Sequence, residues 1–395
     1  MFAGMFCCVP TNSFKGEYMR YTTSALRLAS VLFAGTIAWG QTPAAPAAPP
    51  ADPAPAATPA TSLPANIQFS ALIDGYYSFN NNHPASGTTT LRNFEVKANQ
   101  FSLNMMKLSL TKAAEPVGFT LDIGAGKAWQ IFHATDPAGP DFVQYIPQAY
   151  VTLKPKSWGG FQFDFGKFYT SAGAELTENN LTWSYGRGYL YTNGPYYHFG
   201  ARVTKPLNDH FTIGMQLVNG WNNVEDNNTG KTLGLTTAWT SKKISWFNNY
   251  YVGPEKNKTN TGIRNFYDTV VNLNPNDKTA IYVNFDYGKE SQAFGVKKDA
   301  KWVAIGLAGR YQTTEHTALS VRYENYDDKD GFITGTAQAL NSFTVTGEYK
   351  WIEGLISRLE YRRDWSDKAY YERGNGLSKN QSTLTLGFIA FFGPK

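Results

Sequence analysis

The sequence predicts an all-β fold: a transmembrane antiparallel β-barrel of about sixteen strands, with short turns at one end and long loops at the other. Three observations support this prediction. From residue 66 onward apolar and polar residues alternate, the alternating runs are long for strands, and short and long connections follow each other in turn. The composition agrees, because only 17% of the 395 residues are charged and 15% are aromatic, whereas soluble domains have about 25% charged residues.

Residues 1–40 are predicted to be a cleaved signal peptide whose true start is Met19. Two arginines follow this methionine, residues 28–38 form an apolar core, and small residues precede Gln41, where a signal peptidase is expected to cut. The core is short for a membrane span, so an uncleaved anchor is the less favoured alternative. Both cysteines precede Met19, and the mature chain is therefore expected to have no thiol chemistry.

Residues 41–65 form a Pro/Ala-rich tract without aromatic residues, which is predicted to be a semi-extended periplasmic spacer. The barrel is expected to cover residues 66–395. Residues 1–40 hold three basic residues and one acidic residue, so the net charge falls from +5 to +3 when they are removed. A charge this small and dispersed does not indicate nucleic-acid binding.

The alternation is clear in residues 343–351, where apolar or aromatic residues at odd positions alternate with Thr344, Thr346, Glu348 and Lys350. Such a run predicts a strand with one apolar and one polar face. In residues 101–112 the alternation changes phase, which predicts a β-bulge at 105–106. Sixteen strands are predicted, at 66–79, 101–112, 117–128, 145–153, 160–168, 195–205, 210–219, 230–240, 243–252, 263–274, 278–288, 300–312, 316–326, 339–350, 355–365 and 380–392.

The connections between these runs alternate in length. The short ones cover 113–116, 154–159, 205–209, 240–242, 274–277, 313–315 and 351–354, and the long ones cover 80–100, 129–144, 169–194, 220–229, 253–262, 289–299, 327–338 and 366–379. A soluble β-sandwich has no reason to place every long loop at one end. Outer-membrane barrels do so, with short periplasmic turns and long extracellular loops.

Charged residues in the middle of strands are predicted to face a water-filled lumen. In hydrocarbon no backbone group can stay unpaired, so the strands must close into a barrel whose apolar face points outward. Acids and bases are nearly balanced among the lumen-facing candidates, which gives no prediction of ion selectivity. These candidates are Asp74, Lys107, Asp122, Asp164, His198, Arg202, Arg310, Arg322, Glu324, Glu348, Lys350, Arg358, Glu360 and Arg362.

Four stretches resemble the bacterial outer-membrane porins called OmpL-like. They are KLSLTKAAEPVGFTLDIGAG (107–126), GKFYTSAGAE (166–175), PYYHFGARVTKPLND (195–209) and LVNGWNNVEDNNTGKT (217–232). The resemblance implies a porin-like channel in the bacterial outer membrane, surrounded by outer-membrane lipid and open to small polar solutes. A homotrimer is the expectation carried over from porins at large.

The final strand, TLTLGFIAFF (383–392), resembles the C-terminal signal that the barrel-assembly machinery reads. Thr385, Gly387 and Phe392 occupy its polar, glycine and aromatic positions. The sequence departs from the signal in that Gly393-Pro394-Lys395 follow the last aromatic residue. The resemblance implies that this machinery is a partner of the chain.

The longest connection, 169–194, is the candidate pore constriction, with Glu175, Glu178 and Arg187 as its charged residues. In porins generally the loop at this place folds inward and narrows the channel. The hypothesis is that the two glutamates oppose lumen arginines and create a transverse electric field; the arginines considered are Arg202, Arg310, Arg322, Arg358 and Arg362. The alternative is a loop that lies on the surface or contacts a neighbouring protomer.

Enzymatic and metal chemistry find little support in the sequence. The five histidines are far apart, and the sequence has no HExxH or CxxC pattern. We therefore expect neither a zinc site nor a cofactor. Asp/Asn clusters at 226–228 and 327–330 lack the spacing of a calcium loop and are predicted to be solvated turns. The sequence predicts a porin for passive diffusion. The alternatives are a non-conducting barrel that serves as adhesin or anchor and a secreted carbohydrate-binding β-sandwich.

Intact-mass measurement of the protein purified from membranes is expected to place its first residue at Gln41, because signal peptidases require small residues just before the cut. The variant Ala38→Arg is expected to block this cleavage, whereas Ala57→Arg in the spacer should leave it unchanged. A purified chain that retains residues 19–40 would contradict the prediction.

Overall fold

The computed structural model describes residues 66–136 and 142–393. The predicted signal peptide (1–40) and spacer (41–65) lie outside this range, and both stay predictions. Within the described residues no helix is long and apolar enough to cross a membrane.

The described residues are almost entirely strands and their connections. The strands are β1 (Ile67–Asn80), β2 (Gln100–Lys112), β3 (Val117–Ala125), β4 (Ala149–Leu153), β5 (Gln162–Tyr169), β6 (Tyr197–Pro206), β7 (Phe211–Val218), β8 (Thr232–Thr240), β9 (Ile244–Gly253), β10 (Arg264–Asn276), β11 (Thr279–Glu290), β12 (Ala300–Gln312), β13 (Thr317–Asp328), β14 (Gln338–Ile352), β15 (Leu355–Ser366), β16 (Tyr371–Arg373), β17 (Gly376–Ser378) and β18 (Asn380–Phe392). The two short helices are α1 (Lys127–Phe132) and α2 (Tyr189–Asn193), and 3₁₀ turns cover Val143–Tyr145, Lys156–Trp158 and Asn179–Leu181.

Sixteen of these strands form one closed antiparallel barrel. Each barrel strand pairs with the barrel strands before and after it in the chain, β15 pairs with β18, and β18 closes the barrel against β1. The two remaining strands, β16 and β17, form a small hairpin within the last long connection. All sixteen predicted strands are confirmed, as is the alternation of short turns and long loops. The closed barrel also excludes the β-sandwich alternative, because a sandwich has two separate sheets.

The outer surface of the barrel is apolar. Along β12, Ile305 and Leu307 point outward and are exposed, whereas Ala304 and Ala308 point inward and are buried. The same outward exposure of large apolar side chains recurs around the barrel, for example at Leu108, Phe165, Leu235 and Leu386. An apolar belt of this size is not stable against water, and it matches the lipid-facing band of a transmembrane barrel.

Two strand ends differ from their predictions. The predicted strand 117–128 stops at Ala125, because the chain turns into α1 after Gly126, whose positive φ of 118° favours glycine. The predicted strand 145–153 begins only at Ala149, because a 3₁₀ turn covers Val143–Tyr145. The wall is therefore short between β3 and β4.

The predicted β-bulge lies in β2, one residue earlier than expected. Met105 pairs with Asp74 and Leu103 pairs with Gly75, so Asn104 is the extra residue. Asn104 and Met105 are both buried, and Met106 returns to the outer face. The bulge lets Asn104 donate a hydrogen bond to Asp74 Oδ2 at 2.7 Å.

The lumen wall is not polar throughout. Leu72, Met105, Ile356 and Ile389 point inward on adjacent strands β1, β2, β15 and β18 and are buried. They belong to one apolar cluster with residues of the long connections, which are Phe94, Trp129, Phe132, Tyr185, Tyr191 and Tyr196. Inward apolar residues are stable here because chain, rather than water, covers them.

The final strand closes the barrel on both sides, against β1 and against β15. Of the three residues assigned to the assembly signal, Thr385 and Gly387 point inward and are buried, and Phe392 points outward. Gly387 is required sterically, since a Cβ there would lie 2.1 Å from the ring of Tyr185. The recognition of this strand by the assembly machinery stays a prediction.

Replacing a mid-strand outward residue by a charged one is expected to destabilise the barrel strongly. Leu307→Arg should lower the free energy of unfolding in lipid vesicles by about 2–4 kcal/mol, because arginine loses its hydration near the middle of the bilayer. Ile352→Arg, at the end of β14, is the matched control and should cost about 0–1 kcal/mol. Denaturant titration followed by tryptophan fluorescence checks both, and equal losses would contradict the assigned membrane band.

Candidate pore constriction

The connection between β5 and β6, residues 170–196, is here called the inner loop, and it crosses the barrel interior. Near its start, Ser171 Oγ donates to Asn249 Oδ1 of β9 at 2.7 Å. Further along, Tyr185 Oη donates to Asp74 Oδ1 of β1 at 2.7 Å. Because β9 and β1 lie on opposite sides of the closed sheet, the loop between these contacts runs through the lumen.

Both glutamates of the inner loop pair with bases on the wall. Glu175 forms an ion pair with Arg322 of β13 and accepts a hydrogen bond from the Gly188 N–H at 2.6 Å. Burial raises the pKa of Glu175, and the charge of Arg322 acts in the opposite direction. Glu178 pairs with Lys107 of β2. Its basic partner is therefore a lysine and not one of the five arginines considered above.

Three wall arginines hold the backbone of the inner loop. Arg358 Nη1 donates to the carbonyl of Asn179 at 2.7 Å, Arg362 Nη1 donates to the carbonyl of Arg187 at 2.6 Å, and Arg322 Nη1 donates to the carbonyl of Gly186 at 2.8 Å. All three side chains are almost fully buried. Charge-assisted hydrogen bonds of this kind are about twice as strong as neutral ones.

An acid on the wall completes the attachment. Glu360 of β15 accepts hydrogen bonds from the backbone N–H groups of Tyr185 at 2.6 Å and Gly186 at 3.0 Å. A Cβ on Gly186 would lie 2.9 Å from Glu360 Oε1 and 2.5 Å from Glu95 Oε1, so a larger residue there would require these carboxylates to shift. The wall therefore binds the inner loop through its carbonyl groups, which accept from arginines, and through its N–H groups, which donate to Glu360.

Arg187 does not line an open pore but braces the inner loop internally. Its Nε donates to the carbonyl of Leu176 at 2.7 Å, and its Nη2 donates to the carbonyl of Thr177 at 2.7 Å. The side chain also lies over the ring of Phe94. These contacts join the two arms of the loop and leave Arg187 1% exposed.

The phenols of the inner loop are buried and hydrogen-bonded. Tyr189 Oη lies 2.9 Å from Tyr371 Oη of β16, and Tyr191 Oη donates to Thr177 Oγ1 at 2.9 Å. Burial raises the pKa of Tyr185, Tyr189 and Tyr191 well above the ordinary value for tyrosine. These rings are therefore neutral parts of the loop's packing.

The other lumen-facing candidates lie on the inner side of the wall and mostly pair with one another. Arg202 Nε lies 2.7 Å from Asp164 Oδ2, and Glu348 contacts both Arg310 at 2.7 Å and Arg358 at 2.8 Å. Further pairs are Lys107 with Asp122, Arg362 with Asp364, Arg322 with Glu324, and Lys350 with Glu353 of the adjacent turn.

His198 faces inward but is covered by the connection between β7 and β8. Its Nδ1 lies 3.0 Å from the carbonyl oxygen of Gly220, and its ring stacks on Tyr251 at a centroid distance of 5.0 Å. The side chain is fully buried. It therefore packs beneath a loop rather than lining open lumen.

Other connections also enter the barrel, which the sequence did not indicate. Residues 81–99 bring Arg92 Nη2 to 3.0 Å from Asp364 Oδ2 and place Phe94 against Tyr191. In the next long connection, Trp129 of α1 donates from Nε1 to the carbonyl of Met106 at 2.9 Å. Buried aromatic residues in otherwise polar loops were the available signal.

A small cavity remains between the inner loop and the wall of β10 to β13. Trp183 and Leu181 border it on the loop side, and Asn272, Tyr282 and Ser320 border it on the wall side. Trp183 and Tyr282 have ring centroids 5.2 Å apart. Apart from Glu175, which is paired with Arg322, the cavity lining is neutral.

Within residues 66–136 and 142–393, no group of three or more His, Cys, Asp or Glu side chains is arranged to hold a metal ion. The Asp/Asn cluster at 327–330 forms a turn instead. Asp328 accepts hydrogen bonds from the backbone N–H groups of Phe332, Ile333 and Thr334 at 2.7–3.1 Å.

Several solved structures share this fold at low sequence identity. The anion-selective porin from Comamonas acidovorans is 11% identical, with a TM-score of 0.57 over 82% of this chain and 99% of that one. The trimer form of OmpT from Vibrio cholerae is 14% identical, with a TM-score of 0.55 over 82% and 99%. The outer-membrane channel DcaP of Acinetobacter baumannii is 10% identical, with a TM-score of 0.54 over 83% and 97%.

A comparison with curated proteins finds no match to this chain. The family model described as "Putative beta-barrel porin-2, OmpL-like" matches residues 66–392, which is the whole barrel. The closed barrel of sixteen strands with an apolar outer belt agrees with that match. The chain belongs to the OmpL-like family of bacterial outer-membrane β-barrel porins.

Proposed function

We propose that the protein is a passive diffusion channel for small hydrophilic solutes and ions, with the inner loop as its constriction. The observation that carries this proposal is the attachment of the inner loop across a barrel of sixteen strands. Barrels of this size leave an aqueous channel unless chain fills them. A loop held by buried ion pairs narrows such a channel at a fixed place.

The pairing of charges supports weak ion selectivity. Arg202, Arg310, Arg322, Arg358 and Arg362 each contact a carboxylate, so little uncompensated charge faces the lumen. The cavity beside the inner loop is lined mainly by neutral polar and aromatic side chains. Selectivity would then depend more on solute size than on charge.

Three partners complete the proposal. The apolar belt suits outer-membrane lipid, and the last strand resembles the signal of the barrel-assembly machinery. A homotrimer is supported by the trimer form of OmpT from Vibrio cholerae, which shares this fold. A non-conducting barrel that acts as adhesin or anchor is the competing function, and the filling of the lumen by long connections favours it.

Single-channel recording in planar bilayers separates the two functions. The wild-type protein is expected to conduct, and deletion of residues 171–190 is expected to raise conductance by roughly twofold, because the loop occupies lumen volume. Liposome swelling should show entry of larger sugars into vesicles that carry the deletion variant. Conductance that the deletion leaves unchanged would contradict the constriction, and no conductance of the wild type at any voltage would favour the anchor.

Breaking the Glu175–Arg322 pair is expected to loosen the inner loop. Glu175→Gln should lower the free energy of unfolding by about 1–3 kcal/mol, because the buried Arg322 loses a charged partner. Glu353→Gln removes the exposed pair with Lys350 and is expected to change the free energy of unfolding by less than about 0.5 kcal/mol. Denaturant titration in vesicles checks both variants, and equal effects would mean that the pair does not anchor the loop.

Paired lumen charges predict a reversal potential close to zero in a potassium chloride gradient. Arg310→Gln leaves Glu348 with Arg358 as its remaining basic partner and is expected to shift the reversal potential toward cations by a small amount. Lys329→Gln, in the exposed turn just after β13, is the control and should give the wild-type value. A strongly anion-selective wild-type channel would contradict this prediction.

A further inference from the structure

The charged side chain of Arg363 faces outward near the end of the barrel that carries the long loops, and it has no partner among the described residues. Arg363 lies on β15 between two inward-facing and buried residues, Arg362 and Asp364, so its own side chain points away from the lumen. It is exposed, and no ion pair or hydrogen bond joins its guanidinium to any other described residue. It lies three residues before the end of the strand at the long-loop end of the barrel.

The surroundings of Arg363 are those of a membrane interface. Its neighbours on the same strand and outer face are Tyr361 and Trp365, and Phe343 lies directly opposite on β14. Phe343 and Tyr361 are about two-fifths exposed on the outer surface. Aromatic side chains of this kind form the girdle where the apolar belt meets the headgroups.

Hydrogen-bond donors accompany the arginine. Ser382 lies directly opposite Arg363 on β18, and Asn341 lies beside Phe343 on β14. The Asn341 Oδ1 atom already accepts from Tyr323 Oη and from Asn325 Nδ2, each at 2.9 Å, which leaves the Asn341 amide nitrogen as a donor. Guanidinium, amide and hydroxyl groups thus occupy neighbouring positions on one outward face, where Ser382 Oγ also accepts a hydrogen bond from Tyr361 Oη at 3.3 Å and keeps its own hydrogen to donate.

The described barrel strands supply no acid that neutralises this patch. Among outward-facing residues of the sixteen described barrel strands, the only acid is Asp327, and it pairs with Lys329 at 3.4 Å. A second copy of the chain that approached with the outer faces of its strands would likewise bring no acid other than Asp327. An unpaired arginine beside the apolar belt is unfavourable unless an anion or water meets it.

We propose that Arg363, Asn341 and Ser382 bind the phosphate of a lipid headgroup in the leaflet at the long-loop end. The arginine fork matches two phosphate oxygens, and the amide and hydroxyl groups can donate to the same group. Tyr361, Phe343 and Leu384 lie on the outer face beside it, where they contact the acyl chains. The site lies on the outer surface and does not depend on conduction through the lumen.

Native mass spectrometry of the full-length protein in a nonionic detergent tests the site. The probes are phosphatidic acid, diacylglycerol with the same acyl chains, and inorganic phosphate. The wild type is expected to keep phosphatidic acid adducts, and Arg363→Gln should weaken this binding by about fivefold to tenfold, since it removes a charge-assisted contact. Arg373→Gln, at the exposed end of β16, is the matched control and should bind like the wild type.

Heat-modifiable mobility on gels verifies that both variants are folded. Equal adducts for Arg363→Gln and the wild type would overturn the proposal. So would equal binding of diacylglycerol, which would assign the adducts to apolar contacts, or binding of inorganic phosphate alone at the same affinity. Loss of an oligomer in Arg363→Gln with unchanged lipid adducts would assign the patch to a contact between copies and would also overturn it.

Discussion

Every structural feature of this barrel depends on the need to pair backbone N–H and C=O groups where no water is available. A sheet with an apolar outer belt can satisfy this need only by closing, and here β18 pairs with both β15 and β1. Closure then separates the side chains into an outward and an inward set. Because strands have a period of two, residues as close as Ile305 and Ala304 have opposite environments.

Closure creates a second requirement inside the barrel. Charged side chains that face inward are buried as soon as connections fold into the lumen, and they must then find partners. Arg322, Arg358 and Arg362 do so by holding carbonyl groups of the inner loop, and Glu360 does so by accepting its N–H groups. The same charges that make the lumen polar therefore fix the inner loop within it.

The barrel was predictable because its signal repeats. Sixteen runs with the same period, separated by connections of alternating length, each add to the same interpretation, and errors of a few residues do not alter it. The early end of β3 and the inward positions of Leu72 and Ile389 were not predictable, because they depend on α1 and the inner loop packing against the wall. Such contacts join residues far apart in sequence and leave no local pattern.

The candidate site divides in the same way. The sequence by itself determined which loop is longest, where Glu175 and Glu178 lie in it, and which bases alternate toward the lumen, because these follow from spacing and period. Only the tertiary structure decided that Glu175 meets Arg322, that Glu178 meets Lys107 and that Arg187 braces the loop itself. The physical reason is that pairing depends on the path of an irregular loop across a closed barrel, and that path is set by the summed contacts with strands on opposite sides.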